Sequence, residues 1–274
     1  MLKTLTKPIA SIVAGACFVT MTLTQAAMAN EHLKNVIEAQ ERAEESVRDK
    51  YRNPYETLSF FGAEPNMTIV ELAPSGGWYS EILGPYVAKE GKLIAGHFNM
   101  ERENAPAYFT RAMAAYKERI ADKERFGDID IVPFDPPAKS RLGESGSADM
   151  VLSFRSVHGW KRDGVFGDVL KSVYDVLKPG GTFGIVGHRL PEDGDDSEFT
   201  GYVKQSWVIE MAEAAGLKLV ESSEINANPN DPANHENGVW SLPPSLSVKD
   251  EALKERNRKI GESDRFTLKF VKAS

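Results

Sequence analysis

The sequence predicts an open, doubly wound α/β sheet, mostly parallel and seven-stranded, and three observations predict it. Short apolar, β-branched runs alternate with helix-length segments from residue 68 onward. The intervening segments are long enough to act as crossovers between parallel neighbours. The first run, "TIVELA", leads through "PSGG" into a helical stretch, the strand, turn and helix that open many nucleotide-binding units.

Each element follows from local pattern. The opening "MLKTLTKPIASIVAGACFVTMTLTQAAMAN" sets Lys3 and Lys7 before an apolar run and Ala27, Met28 and Ala29 at a cleavage site. This predicts a secretory signal peptide over 1–29 and a secreted or periplasmic location. The run is interrupted by Thr20, Thr22 and Thr24 and falls short of the roughly 20 residues that cross a bilayer, so no stable membrane span is expected after cleavage. The only cysteine, Cys17, lies in that leader, so the mature chain is expected to have neither disulfide nor catalytic thiol.

The remainder, 30–274, reads as a single domain. Residues 31–51 form one charged helical pattern with a thin stripe of Leu33, Val36, Ile37, Ala43, Val47 and Tyr51, stopped by Asn53 and Pro54. "TIVELA", "KLIAGHF", "IDIVPFD", "ADMVLSFRSVHGW", "TFGIVGHRL", "LKLVESSEI" and "DRFTLKFVK" are the strands. Helices are expected at "GWYSEILGPYVAK", over 106–125, at "VFGDVLKSVYDVLKPGG" and at "YVKQSWVIEMAEAAG". The stretch 226–263 is too long for a plain connector and is expected to cap the sheet edge. With 33 Lys plus Arg against 40 Asp plus Glu, the net charge of −7 makes nucleic acid a poor partner and favours a small molecule. Composition leaves the oligomeric state open.

In open α/β sheets, ligands gather beyond the carboxyl ends of the strands. That rule selects Glu71 to Tyr79, His97 to Asn99, Asp135, Arg155 to Trp160, and His188 with Arg189.

"VELAPSGGW", "FDPP", "DMVLSFRSVHGW" and "LKPGGTFGIVGHR" occur here in an order and spacing that resembles the class I S-adenosylmethionine-dependent methyltransferases, a Rossmann-like fold, over about residues 50–225. Within that superfamily the chain looks like a group of secreted methyltransferases, from "RDKYRNPYETLSFFGAEPNM" to "SDRFTLKFVK". The resemblance implies S-adenosylmethionine as cofactor. Glu71 would stand near its amino-acid end, and Gly76 and Gly77 would let backbone approach it. Ala73 and Ser75 replace the usual glycines, a change tolerated if the backbone there keeps negative φ. Trp78 and Tyr79 offer aromatic faces to a sulfonium or pack in the core. Where the family carries a carboxylate for the ribose, this chain has His97, Phe98 and Asn99. Asp135 matches the acidic position near the adenine amine.

For catalysis the candidates are His158 and His188 as base, with Arg189 to hold an anionic substrate and Arg155 and Trp160 walling the pocket. His97 joins them as a third histidine at a strand end. No short His-x-His or Glu-x-x-His spacing supports a metal. The altered loops, and an exported protein needing a cofactor made inside the cell, leave a second reading open: a non-catalytic binding module on the same scaffold. A nicotinamide enzyme lacks its GxGxxG, and a hydrolase its GxSxG elbow.

Overall fold

The computed structural model describes residues 28–273. The expected leader, apart from residues 28 and 29, and Cys17 lie outside the described residues. Residues 28–37 form helix α1, which buries Leu33, Val36 and Ile37. The continuous helix expected over 31–51 is broken. Buried Arg42 donates to the Ile37 carbonyl, which helix continuation would need for itself, and its guanidinium pairs with Asp49 at 3.0 Å. The chain therefore turns and resumes as two short helices, α2 (Ala43–Ser46) and α3 (Asp49–Arg52). Val47, expected in the apolar stripe, is 64% exposed. Asn53, left-handed at φ 41°, ends α3 where the stop was expected, and Pro54 then opens a further helix, α4 (Pro54–Phe61). A proline's missing N–H costs nothing in a first turn.

The alternation that follows is β1 (Thr68–Leu72), α5 (Ser80–Val87), β2 (Lys92–His97), α6 (Ala107–Arg119), α7 (Lys123–Phe126), β3 (Asp130–Pro133) and β4 (Ala148–Phe154). Then come α8 (Val157–Arg162), α9 (Phe166–Val176), β5 (Leu177–Leu190), a two-residue β6 (Val203–Lys204), α10 (Gln205–Ala214), β7 (Leu217–Ser223), α11 (Glu251–Ile260) and β8 (Arg265–Lys272). The helix expected over 106–125 is divided because Asp122 leaves helical geometry and caps α7, accepting from the Glu124 and Arg125 amides. The fourth strand ends at Phe154, earlier than its apolar pattern suggests, because "VHGW" opens α8.

The sheet order is β3-β2-β1-β4-β5-β8-β7, with β6 beside the end of β5. Only β8 runs antiparallel to its neighbours. Alternate strand residues feed two cores: Ile69 packs on one face with Leu58, Phe61 and Leu152, while Val70 and Leu72 pack on the other with Val151, Val173 and Phe183. No helix among the described residues is long and apolar enough to cross a membrane.

The segment 226–263 lies between β7 and β8 and folds around buried Asp231. That carboxylate accepts from the Tyr202 hydroxyl at 2.9 Å, His235 Nε2 at 2.8 Å and the Asp264 amide at 2.8 Å. The bond to His235 is internal to the segment, and those to Tyr202 and Asp264 tie it to its surroundings.

Phe61 docks α4 against β5 at Gly184, where an added Cβ would lie 2.7 Å from both Phe61 Cδ1 and Leu152 Cδ2. Gly184→Ala is therefore expected to lower unfolding free energy by about 1–3 kcal/mol in urea titrations. An unchanged midpoint would contradict this packing.

Candidate functional site

The carboxyl edge divides into two halves. On the β1, β2 and β3 side, the turn after β1 is set by unusual backbone. Ala73 has φ 48°, Ser75 φ 55° and Gly77 φ 83°. The expectation of negative φ at Ala73 and Ser75 is thus wrong: both non-glycine residues hold left-handed geometry, at roughly 1–2 kcal/mol each. The chain keeps a glycine-type turn without the glycines. Gly76 faces open space, with no atom within 4 Å of where a Cβ would be. Gly77 instead meets Tyr116 and Arg119 of α6, so its freedom serves packing.

His97 holds this turn from below. Its Nδ1 accepts from the Phe98 amide at 2.8 Å, so its Nε2 carries the proton and donates to the Ser75 carbonyl at 2.9 Å. Burial lowers its pKa, and the ring is fully buried. It is a prop for the strained turn and stands three strand spacings, about 14 Å, from β5 and His188. The expected meeting of three histidines is thus a meeting of two.

Glu71 is also internal. It accepts from the Ser80 hydroxyl at 2.5 Å, and burial pushes its pKa to about 7. Its side chain is buried, 2% exposed, against Ser80 in the first turn of α5. Asn99 donates to Asp135 at 3.3 Å, and Arg102 pairs with Asp135 at 3.2 Å. The two residues expected at ribose and adenine thus lie side by side at the ends of β2 and β3. The aromatic faces are taken: the Trp78 ring lies under the Arg52 and Arg42 guanidiniums at 4.3 and 5.4 Å, and Tyr79 stacks on Phe154 at 3.4 Å. Neither ring is presented to a sulfonium.

On the β4 and β5 side, His158 and His188 come together, with ring centroids 5.5 Å apart. His188 Nδ1 shares a hydrogen bond with Ser263 Oγ at 2.5 Å. His158 Nδ1 is buried without a partner, and its ring meets Trp240 of the capping segment at 5.8 Å. Burial, then Arg155 and Arg162, push the His158 pKa to about 4. Burial, His158 and three arginines hold His188 well below the ordinary imidazole value. Both are neutral at pH 7, so each ring has a nitrogen lone pair.

Arg189, expected to bind substrate, is already engaged. It forms paired bonds to Glu224 at 2.7 and 2.8 Å and to Asp264 at 2.8 and 3.0 Å. The cationic group beside the histidines is a different one. Arg48, Arg52 and Arg265 contact a single carboxylate, Glu262, and Arg155 acts on it through its charge; burial raises the Glu262 pKa but the arginines prevail and hold it at about 2. Of these only Arg155 is a rim residue that the strand-end rule selects. The available signal for the others is Arg48 and Arg52 at i and i+4 beside Tyr51, on one face of a helix.

A hollow of about 450 Å³ opens elsewhere, along β3 and the following loop, lined by Val132, Pro133, Ala138, Lys139, Ser140, Arg141 and Gly143.

No protein-family model and no curated protein sequence matches the chain. Solved structures do. A SAM-dependent methyltransferase from Aquifex aeolicus is 13% identical with a TM-score of 0.54, covering 89% of this chain and 98% of that one. Geranyl diphosphate methyltransferase in complex with SAM is 14% identical at TM-score 0.55, covering 88% and 90%. The [4+2]-cyclase SpnF is 14% identical at TM-score 0.54, covering 81% and 80%. The chain has the class I methyltransferase fold, and the cyclase among its neighbours means that this fold does not by itself fix the reaction.

The strain at Ala73 gives a test by sign. Ala73→Gly is expected to raise unfolding free energy by up to about 1 kcal/mol, because glycine takes left-handed φ without penalty. A loss of about 1 kcal/mol, the usual cost of glycine, would mean that φ there is negative.

Proposed function

We propose that the protein is an exported S-adenosylmethionine-dependent methyltransferase that modifies a small molecule. The observation that carries this reading is the turn after β1: it holds glycine-type geometry at residues 73 and 75 against the preference of the residues there. Strain of that kind persists where surrounding structure over-determines it and concentrates at functional sites. The methyltransferase sheet order and the SAM-bound neighbour support the same reading.

The residues fit the cofactor. The open face of Gly76 allows close approach to main chain, and Asp135, with two accepted bonds, retains lone pairs for an amine. Asn99 donates to Asp135 and accepts from the Glu101 amide, so it offers a ribose less than a carboxylate would. When bound, the cofactor supplies an electrophilic methyl group. The chain's own part is then to align an acceptor and to take its proton where it has one. His158 and His188, uncharged and adjacent, each offer a nitrogen that can take a proton, as weak bases while burial and the arginines hold their pKa low, with Ser263 fixing the His188 ring through Nδ1. Export rests on the 1–29 pattern and predicts a mature N-terminus at Asn30.

Calorimetry tests this reading. S-adenosylmethionine is expected to bind in the micromolar range, with a loss of about tenfold to a hundredfold in Asp135→Ala, the equivalent of 1–3 kcal/mol for one buried hydrogen bond. No heat at millimolar cofactor would contradict it.

A further inference from the structure

The cationic cluster is out of balance. Arg48 and Arg52 pair with Glu262 at 2.6 and 3.4 Å, and Arg265 also reaches that carboxylate. Arg52 and Arg265 are 1% and 2% exposed, yet both Nη atoms of Arg52 and the Nε of Arg265 have no acceptor. Arg155 makes no ion pair among the described residues, and its Nε is buried without a partner. Arg155 also holds φ 61°, a conformation a long side chain adopts only when its surroundings compel it. The second carboxylate in its field, Glu71, has its pKa raised to about 7 by its own burial, which weakens it as a counterion. Several guanidiniums thus face about one negative charge. Buried donors without acceptors and buried cations without counterions are each costly, and proteins seldom keep them without a use.

We propose that Arg52, Arg155 and Arg265 form the subsite for the oxyanion, carboxylate or phosphate, of the small acceptor molecule. Planar guanidiniums meet such groups with paired hydrogen bonds. Their position matches the chemistry. Arg265 sits opposite His188 in the strand register, and Arg155 begins the segment that carries His158. An acceptor anchored there would lie against the imidazole pair. Burial is the larger cause of the low basicity of both imidazoles, and the arginines add to it; a bound anion would offset the arginine part, so a bound substrate would strengthen the base that acts on it. The word acceptor rests on the methyltransferase reading, whereas the anion subsite does not.

The test uses inorganic phosphate and acetate as probes in calorimetry, without cofactor and against chloride at matched ionic strength. Phosphate or acetate is expected to bind the wild type, at least tenfold more weakly to Arg155→Gln, and equally well to Arg189→Gln. Arg155→Gln should also melt no lower than wild type without anions, since it removes an unneutralised charge; a purely structural arginine would lower the midpoint. No binding of either anion, or equal binding to Arg155→Gln, overturns the subsite. A separate arm compares S-adenosylmethionine with its decarboxylated form. If the wild type discriminates between them tenfold and Arg155→Gln erases the difference, the cofactor's own carboxylate is the occupant and the acceptor assignment falls. Arg155-dependent phosphate binding with no cofactor binding would keep the subsite and remove the methyltransferase reading.

Discussion

The structure depends on one buried carboxylate. Glu262 is reached by Arg48 and Arg52 from the N-terminal helices and by Arg265 from the start of β8, so a single side chain ties the leading segment to the last strand across the carboxyl edge. A buried pair of this kind adds little net stability, because desolvation cancels most of the attraction. Its effect is positional. Four guanidiniums gathered around one carboxylate set the potential that both neighbouring imidazoles and Tyr79 experience.

That arrangement separates two tasks along the edge. Over β1 to β3, the work is done by main chain: a left-handed turn propped by His97, with Asn99 and Asp135 at the adjacent strand ends. Over β4, β5 and β8 it is done by side chains: cations, two uncharged imidazoles and a cover from the capping segment through Trp240. The turn between them, Trp78 and Tyr79, is locked by guanidinium and phenyl stacking, so the halves share a rigid wall.

Much of the fold was legible because strand periodicity and crossover length are local properties. The strands, the parallel order and the long excursion after β7 follow from them, and so does the proximity of His158 to His188, since adjacent parallel strands bring their ends together. What was illegible depends on partners far away in sequence. Nothing in "EHLKNVIEAQERAEESVRDKY" says that Arg42 will turn back on Ile37 and break the helix. Nothing near Arg189 says that Glu224 and Asp264 will claim it. Residue type favours negative φ at Ala73 and Ser75, and the shape of the turn overrides it. Arg265 carried no motif and Arg52 only its helical spacing from Arg48, and their shared carboxylate makes them a group.

Uncompensated positive charge, added to burial, governs this edge, and the most direct measurement is an NMR titration of the two imidazoles in the anion-free protein and in its Arg155→Gln variant. In the wild type both His158 and His188 are expected to remain uncharged far below the ordinary imidazole value, with His158 protonating at about 4, and both are expected to titrate higher in Arg155→Gln. Ordinary titration of either ring, close to its value in an unfolded chain, or values that do not rise in Arg155→Gln, would contradict a field set by the arginines around Glu262.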